Sequence, residues 1–232
     1  MARPPQRSPG YMPLMPSSPP PLFKGQLLHL AFLIVALPAL NLLTDPPSTM
    51  WLGLEVSTWF ALALAVPIAH QVYVWLCWRL ELRSRFISER WGFRVYAVGF
   101  FLLLGSRPAT LLLLALADHD SLAMSVPLRW AVATPLILLT GYAMYSVARY
   151  FGFQRAAGID HFDPSYRDEP RVTQGLFRWT NNAMYVFAVQ GFWLFGILAA
   201  SKLAMVAACF QSIYIWVHYF GTERPDMDHI YR

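Results

Sequence analysis

Charged side chains are scarce in this sequence. Of its 232 residues only 13% are Asp, Glu, Lys or Arg, whereas 56% are hydrophobic. A soluble globular domain carries roughly twice that share of charge, because its surface faces water. The composition therefore excludes an ordinary soluble domain and predicts an all-α, polytopic membrane protein.

Cysteines and clustered metal-binding residues are also lacking. The two cysteines, Cys77 and Cys209, both fall in apolar segments, so they predict neither a disulfide framework nor a metal site. The six histidines are dispersed, with no pair at the spacing that zinc or iron sites use. The 18 basic residues occur singly between apolar runs, which argues against nucleic acid as a partner.

What the sequence does contain is a series of long apolar runs. About 20 apolar residues in a helix are enough to cross a hydrocarbon core of ~30 Å. The first 22 residues hold eight of the 18 prolines and are predicted to form a disordered cytosolic tail, which leaves residues 23–232 as the transmembrane domain. We predict six spans, the last two forming a helical hairpin: about 25–43, 50–78, 93–117, 127–150, 183–199 and 203–220.

The third run is interrupted by Gly105-Ser106-Arg107-Pro108, so it is either one broken helix or two half-helices. As one broken helix it places Arg107 near mid-membrane, where a charge costs at least about 2.5–3.5 kcal/mol and so needs a partner or a task. Two explanations are open: Arg107 binds an anionic lipid headgroup, or Glu55 or Asp118 neutralises it.

The distribution of basic residues predicts the orientation of the spans. If both termini are cytosolic, 15 of the 18 lie on the cytosolic side, Arg129 and Lys202 lie outside, and Arg107 lies within the membrane. The positive-inside rule favours this arrangement. We therefore expect a multi-pass protein with both termini in the cytosol.

Two polar motifs flank the C-terminal hairpin. Residues 175–185 read Gly-Leu-Phe-Arg-Trp-Thr-Asn-Asn-Ala-Met-Tyr, and residues 222–231 read Thr-Glu-Arg-Pro-Asp-Met-Asp-His-Ile-Tyr. Because a hairpin returns the chain to the face from which it started, both motifs are expected to converge at one cytosolic site.

Together the motifs resemble those of the integral-membrane methyltransferase superfamily, which includes isoprenylcysteine carboxyl methyltransferases and phospholipid N-methyltransferases. The resemblance covers roughly the C-terminal half, about 127–232, and the stretch 223–231 is similar to the phospholipid branch. The sequence departs from the family at 181–183, where Arg-His-Pro is commoner, and at Arg224, where a second Glu is often found. Five residues of the first motif fit: Gly175, Phe177, Arg178, Met184 and Tyr185.

The resemblance implies S-adenosyl-L-methionine as the cofactor, which carries a sulfonium, an ammonium, a carboxylate, a ribose and an adenine. Glu223 is expected to pair with the ammonium and Arg178 with the carboxylate. Asn181 and Asn182 are candidates for hydrogen bonds to the ribose or carboxylate, and Tyr185 for stacking on the adenine or facing the sulfonium.

The acceptor is expected to be a lipid or a lipophilic small molecule, and a phospholipid amine is the leading candidate. A protonated amine must lose a proton, and His218 at the cytosolic end of the last span is the candidate base. The candidate substrate contacts lie on spans two to four: His70, Tyr73, Arg107 and Tyr145. We expect His70 and Tyr73 in the second span, and Tyr142 and Tyr145 in the fourth, to face the interior of the bundle.

Other functions compete with this one. The same methyl chemistry would serve an isoprenylcysteine carboxylate or a small thiol. A sterol-type reductase would use NADPH, although it would need more basic residues for the 2′-phosphate than the tail offers. The last alternative is a non-enzymatic membrane protein.

Overall fold

A computed structural model describes residues 18–231, and the chain is 77% helical with almost no sheet. The predicted all-α class is confirmed. Most of the predicted Pro-rich tail, 1–22, lies outside the described residues.

Five of the helices are long: α1 (Gln26–Leu43), α2 (Val56–Ser84), α4 (Gly92–Ala117), α5 (Val126–Ser146) and α8 (Lys202–His218). Four shorter ones lie between or after them: α3 (Phe86–Arg90), α6 (Phe153–Ala156), α7 (Trp193–Ala199) and α9 (Arg224–Ile230). Two-residue strands β1 (Met50–Trp51) and β2 (Leu54–Glu55) pair antiparallel between α1 and α2, with Met50 opposite Glu55.

Within residues 18–231, five helical runs are long and apolar enough to cross a membrane, which indicates an integral membrane protein. Two of these runs continue past a long helix. Helix α5 extends through the π-helical turn Val147–Phe151, and α8 continues through a second, Tyr219–Glu223, into α9.

The segment predicted as the fifth span is shorter than the other runs. It is an apolar helix over Met184–Ala199 that begins with a π-helical turn, Met184–Ala188, and a 3₁₀ turn, Val189–Phe192, before α7. The predicted hairpin with α8 is present, because α7 packs against α8. A sixth crossing stays a prediction.

Helix α4 settles the choice left open for the third run, since it is one continuous helix that contains Pro108. Pro108 cannot donate a backbone hydrogen bond, and nearby hydroxyls bind carbonyls of the preceding turn. Ser106 Oγ donates to Leu102 O at 2.7 Å, and Thr110 Oγ1 lies 2.9 Å from Ser106 O. The alternative of two half-helices is wrong.

The helices alternate in direction, so the bundle has two ends. We call the end with residues 44–55, 118–125 and 200–201 the loop end, and the end with residues 85–91, 152–183 and 219–231 the tail end. Helix α2 packs against α4 and α8 in the centre. Helix α1 lies at the edge, where His29 is its one buried side chain.

Candidate functional site

The two sequence motifs meet at the tail end through Tyr185 and Glu223, which are 38 residues apart in sequence. The Tyr185 hydroxyl donates a hydrogen bond to Glu223 Oε2. Both side chains are half-buried. The Tyr185 ring lies 6.0 Å from that of Trp216 and 6.2 Å from that of Tyr219, so the carboxylate stands beside an aromatic cluster.

The π-helical turns explain how these residues reach each other. Tyr185 lies in the turn that opens the 184–199 helix, and Glu223 ends the turn that follows α8. A π turn inserts a residue relative to an α-helix and so rotates the side chains beyond it. Such turns are frequent at functional sites.

Deeper in the bundle, Arg107 is almost fully buried, with 2% of its surface exposed. Its Nε donates to Gln211 Oε1 at 3.0 Å, and its guanidinium lies 5.0 Å from the centre of the Phe192 ring. Gln211 is held in turn by a hydrogen bond from its Nε2 to Ala63 O at 3.2 Å. Arg107 Nη2 has no hydrogen-bond partner within residues 18–231.

No carboxylate of the described chain forms an ion pair with Arg107. The two acids considered from the sequence are engaged elsewhere. Glu55 accepts a hydrogen bond from Ser57, and Asp118 accepts three hydrogen bonds at the loop end. Neutralisation by Glu55 or Asp118 is therefore wrong, and the charge of Arg107 is left unbalanced in the interior.

Two buried histidines lie on the helices that pack against α4, the helix of Arg107. His70 is on α2, and His218 ends α8. Neither ring nitrogen of His70 has a hydrogen-bond partner in the described part of the chain, and the same is true of His218 Nδ1. The His70 ring lies 4.9 Å from that of Phe100. We call His70, Arg107 and His218 the interior polar group.

The interior polar group and the tail-end pair are carried by the same helices. His218 is the last residue of α8, directly before the π-helical turn that ends in Glu223. Arg107 lies over the ring of Phe192, which belongs to the same 184–199 helix as Tyr185. Unpaired buried polar atoms cost free energy in any protein, and most in a bilayer.

His29 of α1 belongs to the same region, and the sequence analysis missed it. Its Nδ1 lies 3.2 Å from the Tyr214 hydroxyl, and its ring lies 5.9 Å from that of His218. Gly25 and Gly221 make this approach possible, since a Cβ on Gly25 would overlap the backbone of Gly221. The sequence did carry a signal for His29, because it is a histidine within a span that is otherwise apolar.

A second group missed from the sequence is a buried clamp at the tail end. Arg79 Nε lies 2.8 Å from Asp226 Oδ1, with both side chains fully buried, and His161 Nε2 lies 3.5 Å from Asp226 Oδ2. Arg79 also donates to the carbonyls of Pro21 at 2.7 Å and Lys24 at 3.3 Å. The clamp thus joins the start of the described chain, α2, the 152–183 segment and α9.

Tyr231, the last residue of the tail motif, is held by a hydrogen bond to the 152–183 segment. The Tyr231 hydroxyl donates to Asp160 Oδ2. Burial, together with this hydrogen bond to Asp160, raises the pKa of Tyr231 to about 12. Tyr231 therefore stays protonated at neutral pH and acts as a donor that anchors the end of α9.

Three predicted site residues lie at the tail end, but no side-chain contact with the Tyr185–Glu223 pair is seen for them in the described structure. Arg178 is exposed and stacks over the Trp179 ring at 4.7 Å. Asn181 is exposed, and Asn182 is half-buried, with its backbone N–H 3.2 Å from Thr180 Oγ1. These three candidates lie on the loop that precedes Tyr185.

The aromatic substrate candidates also differ from expectation. Tyr73 donates to Tyr96 O at 2.9 Å and stacks on the Tyr96 ring, so its hydroxyl is engaged. Tyr142 and Tyr145 are 49% and 52% exposed. The inward face predicted for them is wrong, because that side of α5 faces out of the bundle.

The residues at the tail end fit S-adenosylmethionine. The half-buried carboxylate of Glu223 suits an ammonium, and the rings of Tyr185, Trp216 and Tyr219 suit an adenine or a sulfonium. His218 Nδ1 supplies a buried polar atom that no protein group satisfies within residues 18–231.

A known family matches part of the chain. The phospholipid methyltransferase family matches residues 128–232, the part of the chain that contains α5, the hairpin and both motifs. Searches of curated proteins and of solved structures give no match. The family match indicates methyl transfer with a membrane-associated substrate, and it confirms the resemblance of the C-terminal part of this chain to the integral-membrane methyltransferase superfamily.

Proposed function

We propose that this protein transfers a methyl group from S-adenosylmethionine to the amine of a phospholipid, such as phosphatidylethanolamine or its methylated forms. The observation that carries the proposal is the buried Arg107, which has no carboxylate partner in the described chain and contacts Phe192 on the helix that carries Tyr185, the partner of Glu223. A phospholipid amine brings both the anion that Arg107 lacks and the nucleophile that methyl transfer needs.

The cofactor would be held at the tail end. In this proposal Glu223 binds the ammonium, Tyr185 and its aromatic neighbours contact the adenine or the sulfonium, and Asn182 and Arg178 reach the outer parts of the molecule. When bound, the cofactor supplies a methyl group on a positively charged sulfur. The protein's part is to hold the acceptor in line with that methyl group, which by positioning alone can contribute ~7–11 kcal/mol.

The acceptor would lie between the cofactor and Arg107. The phosphate pairs with the Arg107 guanidinium, whose orientation Gln211 fixes through Nε. Its amine is protonated at neutral pH and must lose a proton before it can attack. His218 is buried at the end of α8 with Nδ1 unpartnered in the described structure, and in this proposal it accepts that proton.

The carboxylate of an isoprenylcysteine is a second candidate acceptor, because Arg107 would pair with it equally well. The two acceptors differ in their need for a base. A carboxylate is already anionic at neutral pH, so its methylation does not need His218.

The test is to incubate membranes that contain the protein with methyl-labelled S-adenosylmethionine and to resolve the products by mass spectrometry. We expect label in the amine headgroups of phospholipids, rising with pH and strongly reduced in His218→Ala. Label found only in a methyl ester or a thioether would overturn the phospholipid assignment and leave methyl transfer standing. S-adenosylhomocysteine should raise the thermal stability of the purified protein while NADPH should not, since only a bound ligand stabilises by mass action.

The site is proposed to open to the cytosol, on the basis of the 15 basic residues assigned to that side. Labelling of introduced cysteines decides the orientation. A cysteine at Ser165 should react from the cytosol and one at Ser121 from the opposite side, and the reverse pattern would overturn the proposal.

A further inference from the structure

A groove runs along the outward face of α4, on the side of the helix away from the interior polar group. It has a volume of about 590 Å³. Arg94 lines it at the tail end, and thirteen residues separate Arg94 from Arg107, which corresponds to about 220° around the helix. The two arginines of α4 therefore face opposite sides, Arg107 inward and Arg94 outward.

The groove walls are apolar except at one end. Three phenylalanines line it, Phe93, Phe101 and Phe153, and the rings of Phe101 and Phe153 meet edge to face at 6.5 Å. The apolar floor continues along α4 to Leu102, about 12 Å from Arg94 at 1.5 Å per residue. The shape is that of a slot with a cationic mouth and an apolar body.

The packing of the bundle explains why this slot is open. Helix α4 packs on α2, α7 and α8, whereas α5 packs on α7 and on the start of the 184–199 helix. The start of α6, Phe153 and Gln154, covers the slot at the tail end. Beyond α6, toward the loop end, the outward face of α4 is exposed to the surrounding lipid.

The charge at the mouth is unbalanced. Within residues 18–231 Arg94 forms no ion pair with a carboxylate, and no acid lines the groove. Gln154, the other polar residue of the lining, accepts a hydrogen bond from Tyr166 at its Oε1 and keeps its amide donors. Cationic and amide donors above an apolar slot complement an anionic headgroup above an acyl chain.

We propose that this groove is a docking site for a glycerophospholipid, with the phosphate bound by Arg94 and one acyl chain lying along α4 toward Leu102. The site is separate from the proposed methyl-transfer site, and the occupant need not be methylated. Its occupant is a lipid because the groove opens into the apolar belt that the spanning helices expose.

The experiment uses the purified full-length protein in detergent and a phosphatidylethanolamine with a photoreactive group near the end of one acyl chain. After illumination, the labelled peptides are mapped by mass spectrometry. We expect label in 97–102 and at Phe153, removed by excess unlabelled phospholipid and retained with excess diacylglycerol of the same chains, which has no phosphate.

Two variants sharpen the test. Arg94→Gln should reduce the labelling about ten-fold, which corresponds to the loss of one charge-assisted contact. Ala97→Trp fills the slot, keeps Arg94, and should reduce the labelling equally. Arg90→Gln is the matched control, because Arg90 is also exposed at the tail end but lies over the Phe86 ring, and it should label as wild type.

Labelling of 97–102 that persists in Arg94→Gln, or that diacylglycerol removes as well as phospholipid does, would overturn the proposal. So would labelling spread evenly over the exposed helix α1 and the groove. Stabilisation by S-adenosylhomocysteine, measured in each variant, separates these results from the proposed function: it should be unchanged in Arg94→Gln, because Arg94 lies outside the cofactor site.

Discussion

The loop end and the interior of this bundle both bury charged side chains, but only the loop end satisfies them. At the loop end, Asp118 Oδ2 accepts hydrogen bonds from Ser121 Oγ at 2.8 Å, Ser201 Oγ at 2.7 Å and Leu203 N at 2.9 Å. In the interior, Arg107 makes one hydrogen bond, to Gln211, and leaves Nη2 without a partner in the described chain.

In the proposed function, this difference separates a structural use of a buried charge, at Asp118, from a ligand-binding use, at Arg107. Asp118 ties the 118–125 loop to the start of α8, and its partners are all supplied by the chain. An unpaired buried charge lowers stability, so it persists where a ligand completes it. The comparison predicts opposite effects of substitution at the two places.

Asp118→Ala should give the largest loss of stability. Three donors lose a charged acceptor at once, and each such bond contributes ~1.5–3 kcal/mol, so the free energy of unfolding should fall by about 3 kcal/mol or more. For a chain of this size that lowers the midpoint of thermal unfolding by roughly 6–12 °C. The binding of S-adenosylhomocysteine by the folded fraction should not change.

Arg107→Met should not lower the stability as Asp118→Ala does, but it should reduce the activity. Replacing a buried charge by an apolar side chain of similar volume is often neutral or stabilising, so the unfolding midpoint should stay or rise. Methyl transfer should fall by about 100-fold or more, because the anion of the acceptor loses its partner. Arg107→Met could instead unfold at a lower temperature and methylate at the wild-type rate per folded molecule. That result would mean that the charge of Arg107 is structural, like that of Asp118.

The next prediction compares two residues of the motifs. Glu223→Gln should weaken S-adenosylhomocysteine binding by about 10- to 100-fold, since it removes a half-buried charge-assisted contact of ~1.5–3 kcal/mol. Arg178→Ala should weaken it less, by up to about five-fold, because Arg178 is exposed and an exposed charge contributes ~1 kcal/mol at most. Calorimetric titration measures both, and unchanged affinity in the two variants would remove both residues from the site.

Much of the fold was readable from the sequence. The predicted runs 25–43 and 93–117 differ by one residue at one end from α1 and α4. Runs of about 20 apolar residues carry a strong signal because the bilayer thickness fixes their length. The predicted run 183–199 also differs by one residue from the observed 184–199 helix, but its π and 3₁₀ turns were not predicted, since they leave no mark in hydropathy.

The site was readable only in part. Tyr185 and Glu223 were expected at one face because a hairpin returns the chain, and the structure joins them. The Arg79–Asp226 pair had no sequence signal, because its members are 147 residues apart and Arg79 looks like any other basic residue after a span. Which face of α5 carries Tyr145 was beyond hydropathy as well, since both faces of that helix are apolar.

The smallest predicted effect belongs to the exposed neighbour of Asp118. Asp120 pairs with Arg129 at the loop end, and the Arg129 guanidinium lowers the pKa of the Asp120 carboxyl below its ordinary value. The pair therefore stabilises the fold above the pKa of the unfolded state, near 4, and this contribution is lost as the pH falls through the folded-state pKa. In Asp120→Asn the unfolding midpoint should be slightly lower than wild type at pH 7, and this difference should shrink as the pH falls below 4. Because the carboxylate is exposed, salt should screen even the difference at pH 7. A loss at Asp120 as large as that at Asp118 would mean that burial is not what separates structural from dispensable charges in this loop.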